Sequence, residues 1–200
     1  MISIYSLKPR FQNLLRPLVR RLYDRGITAN EVTLAAAAVS LLIAGMVAWL
    51  TPSTWPFLLI PIWMFIRMAL NAIDGMLARE FGQQSKLGAY LNELCDVVAD
   101  SALYLPFALL PDVSPALVVG VVLLAVFSEY AGVLGLMVGA SRRYDGPMGK
   151  SDRAAAFGLL GVITGCGVPA GIWLNIALAI VFAMLMYTIY NRVRRGLAQS

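Results

Sequence analysis

The chain has 200 residues, 60% of them hydrophobic and 14% charged, with a mean hydropathy of +0.75 and a formal net charge of +5. Apolar runs follow one another with only short polar breaks, which excludes an ordinary soluble domain and describes a polytopic helical membrane protein. There is no histidine, so phosphohistidine chemistry, HExxH metal sites and Ser-His catalysis are excluded, and acid-base work falls to carboxylates, Lys, Tyr or Cys.

The first twelve residues, MISIYSLKPRFQ, carry an apolar stretch too short for a cleavable signal, so the chain is expected to be mature as written. Phe11, Leu14, Leu15, Leu18, Val19 and Leu22 then recur at helical spacing with Arg16, Arg20 and Arg21 between them. Residues 1–27 therefore read as an amphipathic helix in the cytoplasmic interface, basic toward anionic headgroups and kinked at Pro17. A simple basic leader that sets topology would give the same orientation. Six spans of roughly bilayer length follow, Val32 to Leu50, Trp55 to Ala78, Leu87 to Leu110, Ala116 to Ala140, Ala154 to Val168 and Ile172 to Tyr190. The fold expected is thus all-α and integral to the membrane, one domain over residues 1–200 with a six-span bundle over 28–200.

Orientation follows from charge. Lys8, Arg10, Arg16, Arg20, Arg21 and Arg25 precede the first span, Arg79 and Lys86 flank the second connection, and Arg142, Arg143, Lys150 and Arg153 flank the fourth. The tail adds Arg192, Arg194 and Arg195, whereas the alternate connections at 51–54, 111–115 and 166–171 carry no Lys or Arg. The positive-inside rule then puts both termini and the second connection in the cytoplasm. Cys95 and Cys166 form neither a CxxC nor a repeated spacing and read as small core residues.

Polar groups interrupt this apolar pattern most sharply from Asn71 to Asp96, NAIDGMLAREFGQQSKLGAYLNELCD. Ionisable groups at membrane depth are costly and mark functional sites. On a helix, Asn71, Asp74, Gly75 and Ala78 share one stripe, and Gly88, Asn92, Asp96 and Asp100 share another. The short connection between them predicts antiparallel spans that bring the stripes together near the cytoplasmic surface. Converging carboxylate and amide oxygens suit a hard cation such as magnesium, manganese or calcium. Gly75 and Ala78 leave room for a ligand or for a close helix neighbour. Arg79 either snorkels to headgroups or binds phosphate through its planar fork.

The spacing resembles the signature D-x-x-D-G-x-x-A-R-x8-G-x-x-x-D-x-x-x-D of the CDP-alcohol phosphatidyltransferase family. ITANEVTL at Ile27 to Leu34 is similar to the family's I-T-P-N-x-x-T-L ahead of its first span. The resemblance implies a membrane enzyme that moves a phosphoalcohol group from a CDP-alcohol, often CDP-diacylglycerol, to an acceptor hydroxyl in phospholipid biosynthesis, releasing CMP. It implies one or two Mg2+ or Mn2+ ions at Asn71, Asp74, Asn92 and Asp96, with Asp96 as general base. Donor contacts are implied at Asn30, Asp74, Gly75, Ala78, Arg79 and Ser85, and acceptor contacts at Lys150 and Arg153. It further implies a homodimer in a bacterial inner membrane, among membrane lipids and with no nucleic-acid partner.

Two columns depart from the signature. Asn71 and Asn92 stand where the family has aspartate, so each keeps a carbonyl oxygen but loses a negative charge, which weakens two-metal binding. Glu93, Asp100 and Glu129 are possible substitutes; Glu93 is rotated about 100° from Asn92, and Asp100 lies about 6 Å beyond Asp96 along the helix. The expected site is active with one tightly held ion, or with a second recruited with the donor. A catalytically impaired paralogue that binds lipid or nucleotide without turnover is the alternative, and an ion or solute transporter a third reading. The intact D-G-x-x-A-R core disfavours transport. In SRRYDGPMGKSDR, Gly149-Lys150-Ser151 lacks the first glycine of a P-loop, because Tyr144 stands there. That loop should enter a helix at Ser151 or Asp152. Arg67, two turns deeper than Asp74, is expected to pair with Glu129 or Asp100.

Overall fold

The computed structural model describes the backbone of residues 4–200 and the side chains of residues 11–200. Among the described residues seven α-helices run in chain order: α1 (Ile4–Asp24), α2 (Ala29–Leu50), α3 (Leu59–Glu80), α4 (Lys86–Tyr104), α5 (Pro115–Leu134), α6 (Lys150–Gly165) and α7 (Ile172–Leu197). Single 3-10 turns at Trp55–Leu58, Leu105–Leu109 and Gly135–Val138 adjoin α3, α4 and α5. No strand occurs among the described residues. Lys8 and Arg10 of the basic leader lie outside the residues whose side chains are described, and residues 1–3 lie outside the described backbone.

Each of the six apolar runs is helical. Four stretches are long and apolar enough to cross a membrane, Ala29–Leu50, Trp55–Glu80, Pro115–Val138 and Ile172–Leu197. The α4 helix carries Glu93, Asp96 and Asp100 within 19 residues, and α6 is only 16 residues long. Helix boundaries follow local chemistry. Thr28 and Glu31 form a capping box: the Thr28 N–H donates to Glu31 Oε2 (2.7 Å) and the Glu31 N–H to Thr28 Oγ1 (3.3 Å), so α2 starts three residues before the apolar run does. The turn before it needs Gly26, whose φ is +77°. Ser114 caps α5 by accepting from the Leu117 N–H, with Pro115 at the first helical position. The α6 helix begins at Lys150, one residue earlier than expected, where Asp152 Oδ2 accepts the Gly149 N–H at 3.0 Å.

Contacts divide the chain into two compact units, the first comprising residues up to Ser40 with Trp63–Ala99, the second Leu41–Ile62 with Asp100–Ser200. In the first unit Val19 of α1, Ala29 and Val32 of α2, and Ile73, Met76 and Leu77 of α3 form the core, edged by Leu15, Leu22, Ile27, Leu70, Ala78 and Phe81. The apolar positions of α1 are thus split: Leu15, Val19 and Leu22 pack on the protein, while Leu14 and Leu18 are exposed. Helix α1 continues through Pro17, and Arg16 holds Glu80 with both ends of its fork, at 3.1 and 3.0 Å. Trp63 Nε1 donates to Ser40 Oγ at 2.8 Å, satisfying two buried polar groups together.

In the second unit α5 lies along α7, with Val118, Val121, Val122 and Ala125 buried on one and Leu174, Leu178, Val181 and Leu185 on the other. Phe157 of α6 stacks on Tyr104 (3.8 Å between centroids) and meets Phe107 edge-on, which in turn meets Phe57. The glycines of α6 let it approach the 3-10 turn. A Cβ on Gly161 would stand 2.9 Å from the Phe57 carbonyl oxygen, and one on Gly165 2.5 Å from Leu58 Cγ. This is small-residue packing of the kind membrane helices use.

Candidate active site

Within the first unit, Arg67 and Asn71 of α3 meet Asp96 of α4. Asp74 is buried, and its Oδ2 accepts from the Thr33 hydroxyl at 2.8 Å, tying α3 to α2. One turn earlier on α3, Asn71 is half-buried and its amide nitrogen is 3.4 Å from Asp96 Oδ1 of α4. A further turn back, Arg67 is buried and donates to the same Oδ1 at 3.0 Å and to the Asp96 carbonyl oxygen at 3.1 Å. Arg67 and Asp96 thus form a salt bridge between α3 and α4. Asn92 lies half-buried one turn before Asp96 on α4.

Two further local contacts pair Gly75 with Arg79, and Gly88 with Asn30 and Ser85. Arg79 folds back along α3, so that a Cβ on Gly75 would be 2.7 Å from one of its guanidinium nitrogens. A Cβ on Gly88 would be 2.8 Å from Asn30 Oδ1 and 3.0 Å from Ser85 Oγ. Ser85 Oγ itself accepts the Gly88 N–H at 2.9 Å at the start of α4. Gln83 Oε1 accepts the Ala29 N–H at 2.7 Å, which fixes the connection between α3 and α4 against the start of α2. Ala78 is half-buried at the edge of the core, consistent with its packing reading.

The donor set consists of oxygens, with neither thiolate nor imidazole, which matches a hard divalent cation. It is also poor in charge, with carboxylates only at Asp74 and Asp96. Among the described residues no group of three or more His, Cys, Asp or Glu side chains is placed to hold a metal ion. The oxygen chemistry of these residues fits a hard divalent ion.

The second unit contains a cluster that spacing did not disclose. Glu129 of α5 is buried, with Arg153 on Oε1 (2.9 Å) and Arg142 and Arg192 on Oε2 (3.2 and 3.4 Å). Arg153, 2% exposed, also reaches Ser128 Oγ (3.2 Å), the Met148 carbonyl (3.3 Å) and Asp100 Oδ2 (3.4 Å). Arg192 donates to the Ser128 carbonyl oxygen and, at 3.4 Å, to that of Asp145. Asp145 is held by Arg143 (2.7 Å) and Arg195 (2.8 Å). Burial works against its charge, but these two arginines prevail and hold its carboxyl below the usual range. Gly132 admits this loop to α5, since a Cβ there would stand 2.6 Å from the Arg143 carbonyl oxygen. Lys150, the other expected acceptor contact, is half-buried at the start of α6. The tail arginines had been read only as topology-setting charge. The signal that could have found Arg192 is Thr188, one turn before it on the buried face of α7.

The family model for CDP-alcohol phosphatidyltransferase matches residues 26–192. The chain belongs to this family. It is 46% identical over 199 residues to the inner membrane protein YnbA of Escherichia coli K12, across 100% of this chain and 98% of that one. It is 27% identical over 201 residues to a phosphatidylinositol phosphate synthase of Corynebacterium glutamicum, covering 96% and 88% of the two chains. Its fold is similar to that of Mycobacterium tuberculosis phosphatidylinositol phosphate synthase in complex with manganese and citrate, with a TM-score of 0.69, 21% identity and coverage of 90% and 88%. The structure of that enzyme with CDP-DAG bound gives a TM-score of 0.69 at 20% identity, with coverage of 90% and 92%. The fold is therefore shared with a family member, this chain, that carries asparagine at positions 71 and 92.

Proposed function

We propose that the protein transfers a phosphatidyl group from CDP-diacylglycerol to a hydroxyl of a phosphate-bearing alcohol and releases CMP. The observation that carries this reading is the intact Asp74, Gly75, Ala78, Arg79 and Asp96 pattern, with Asp96 held by Arg67 and Asn71. In the reaction the acceptor oxygen forms a bond to the phosphorus that bears diacylglycerol, and the bond from that phosphorus to the CMP oxygen breaks. Asp96 takes the acceptor's proton, and Arg67 and Asn71 orient its carboxylate for this. A divalent cation held by Asp74 and Asp96, with amide oxygens from Asn71 and Asn92, would neutralise the pyrophosphate. Arg79, with Asn30 and Ser85, binds the donor's phosphates and ribose side, and Gly75 leaves the space that this needs. Most of the rate enhancement is positioning and charge stabilisation.

The acceptor is assigned a phosphate on two grounds. Several curated relatives are named phosphatidylinositol phosphate or archaetidylinositol phosphate synthases. In the second unit Arg142, Arg143, Arg153, Arg192 and Arg195 outnumber Asp100, Glu129 and Asp145. Lys150 and Arg153 are the acceptor contacts by family resemblance. We read residues 1–200 as a single catalytic domain, because the family match spans both compact units. All six apolar helices, α2 to α7, cross the bacterial inner membrane as a homodimer, with both termini and the site on the cytoplasmic side and α1 in the interface. Magnesium or manganese serves as the ion.

Gly75→Ala tests the donor assignment. The new Cβ collides with the mobile end of Arg79 and not with backbone, so stability should be nearly unchanged. Displacing one charge-assisted contact is expected to raise the CDP-alcohol KM about 10- to 150-fold. An unchanged KM would remove Arg79 from the donor site. For the reaction itself, purified protein in lipid vesicles with CDP-diacylglycerol, Mg2+ or Mn2+ and a mixture of free and phosphorylated polyols is read by mass spectrometry. A new lipid carrying a phosphorylated headgroup is expected; new lipid only from unphosphorylated alcohols would overturn the acceptor class.

A further inference from the structure

We propose that Thr188 and Gln199 are positioning residues for the acceptor: the end of α7 holds the connection between α5 and α6, and that connection sets Lys150 and Arg153 at the start of α6. The inference rests on the reading above, in which Lys150 and Arg153 contact the acceptor. Residues 141–148 are pinned to α7 in reverse order. Gln199 Oε1, in the turn after α7, accepts from the Ser141 N–H (3.4 Å), from the Ser141 hydroxyl (3.0 Å) and from Arg143 Nη1. Arg195 Nη1 donates to Asp145 Oδ1 at 2.8 Å, and Arg192 Nε to the Asp145 carbonyl oxygen at 3.4 Å. Thr188 Oγ1 accepts the Met148 N–H at 3.0 Å. Thr188, Arg192 and Arg195 recur at helical spacing, so one stripe of α7 faces the connection.

Shape enforces the same path. On the α5 side, a Cβ on Gly132 would stand 2.6 Å from the Arg143 carbonyl oxygen, and one on Gly135 2.9 Å from that of Ser141. On the α7 side, a Cβ on Gly146 would meet Thr188 Cα at 2.7 Å, and the Gly146 φ of +116° is one that side chains rarely adopt. The pins differ in weight. The Arg195 side chain is 64% exposed, so its bridge to Asp145 contributes little. Thr188 is fully buried and Met148 is 4% exposed, so water does not replace the hydroxyl that accepts the Met148 N–H. That hydroxyl is itself oriented, because it donates to the Met184 carbonyl oxygen at 2.8 Å. Met148 then passes the restraint on, since its carbonyl oxygen accepts from Arg153 Nη1 at 3.3 Å. Thr188 thus acts on Arg153 through the two backbone groups of Met148 and touches neither acceptor nor reacting phosphorus.

The test uses the purified full chain in lipid nanodiscs. Hydrogen–deuterium exchange reports the mobility of residues 141–149. Release of CMP reports half-saturation by CDP-diacylglycerol and by a polyol phosphate mixture, each titrated with the other in excess. Thr188→Val keeps the volume and removes the group that accepts the Met148 N–H. It is expected to speed exchange in residues 141–149 by about 5- to 150-fold. Half-saturation by the polyol phosphates should rise at least about threefold, because only the pinned connection is competent; that by CDP-diacylglycerol should not move. Thr188→Ser restores the hydroxyl and should return both readouts to wild type. Gln199→Ala changes an exposed side chain, so the fold survives it, and it should loosen the same connection and shift the acceptor in the same direction. Equal rises for donor and acceptor, or a loosened connection with unchanged acceptor half-saturation, would overturn the positioning role and leave the transfer reaction standing. Unchanged exchange in both Thr188→Val and Gln199→Ala would overturn it as well. No release of CMP by wild type with any polyol phosphate would overturn the reading above and the acceptor role together.

Discussion

Asp96→Asn should lower CMP release by about 10²- to 10⁴-fold, the usual contribution of a positioned general base. The amide keeps an oxygen where Oδ1 accepts from Arg67, and the Asp96 carbonyl continues to accept from the same guanidinium. The lost charge still weakens a buried pair, so a stability decrease of about 1–3 kcal/mol is expected alongside the rate effect. The two are separated by assaying well below the unfolding transition, where the variant stays folded. Donor KM should rise alongside the fall in kcat, because Asp96 both takes the acceptor's proton and helps to hold the ion on the donor's pyrophosphate. A variant that retained more than about a tenth of wild-type kcat would transfer the role of base elsewhere, with Glu93 as the neighbouring carboxylate.

Arg153→Met should be the most destabilising change in the second unit, by about 3–5 kcal/mol. Its guanidinium, 2% exposed, lies between Asp100 and Glu129 and also serves Ser128 and the Met148 carbonyl. Removing it takes a buried cation from Asp100 and leaves Glu129 to Arg142 and Arg192. The methionine fills much of the volume, so the loss reports charge more than cavity. Combining it with Glu129→Gln should cost less than the two single changes added together, since the pair is in direct contact. Thermal unfolding in detergent measures this; strict additivity would mean that the 2.9 Å bridge contributes nothing of its own.

How much of this was legible in the chain depends on which residues are considered. The apolar runs yielded six helices because about 20 residues of uninterrupted hydrophobicity admit little else. The Thr28 to Glu31 capping box, once recognised, accounts for an α2 start earlier than hydropathy places it. Spacing along one helix groups Asn71 with Asp74 and Asn92 with Asp96, since neighbours three and four apart share a face. The same rule reaches one turn further to Arg67, and that stripe is what carries it to Asp96. Its depth in the span points to Glu129 or Asp100, and the bridge to Asp96 comes from the neighbouring helix. Partners across helices depend on packing, which local spacing does not encode. The arginines around Glu129 come from α6, α7 and the loop between α5 and α6, so no single window contains the cluster. The glycines of α6 looked like weak membrane-span residues, yet their lack of side chains is what admits the Phe57 to Leu58 turn.

The family of the chain rests on a match over residues 26–192, and the central claim beyond it is that a site with two asparagines still turns over. The most direct measurement is release of CMP from CDP-diacylglycerol by the purified protein in vesicles, with Mg2+ or Mn2+ and a mixture of polyol phosphates. CMP is expected in equal amount to a new phospholipid, with both abolished by chelation and lowered at least about 100-fold by Asp96→Asn. CDP-diacylglycerol that binds but yields no CMP with any acceptor or cation, while N71D/N92D does release it, would contradict native turnover.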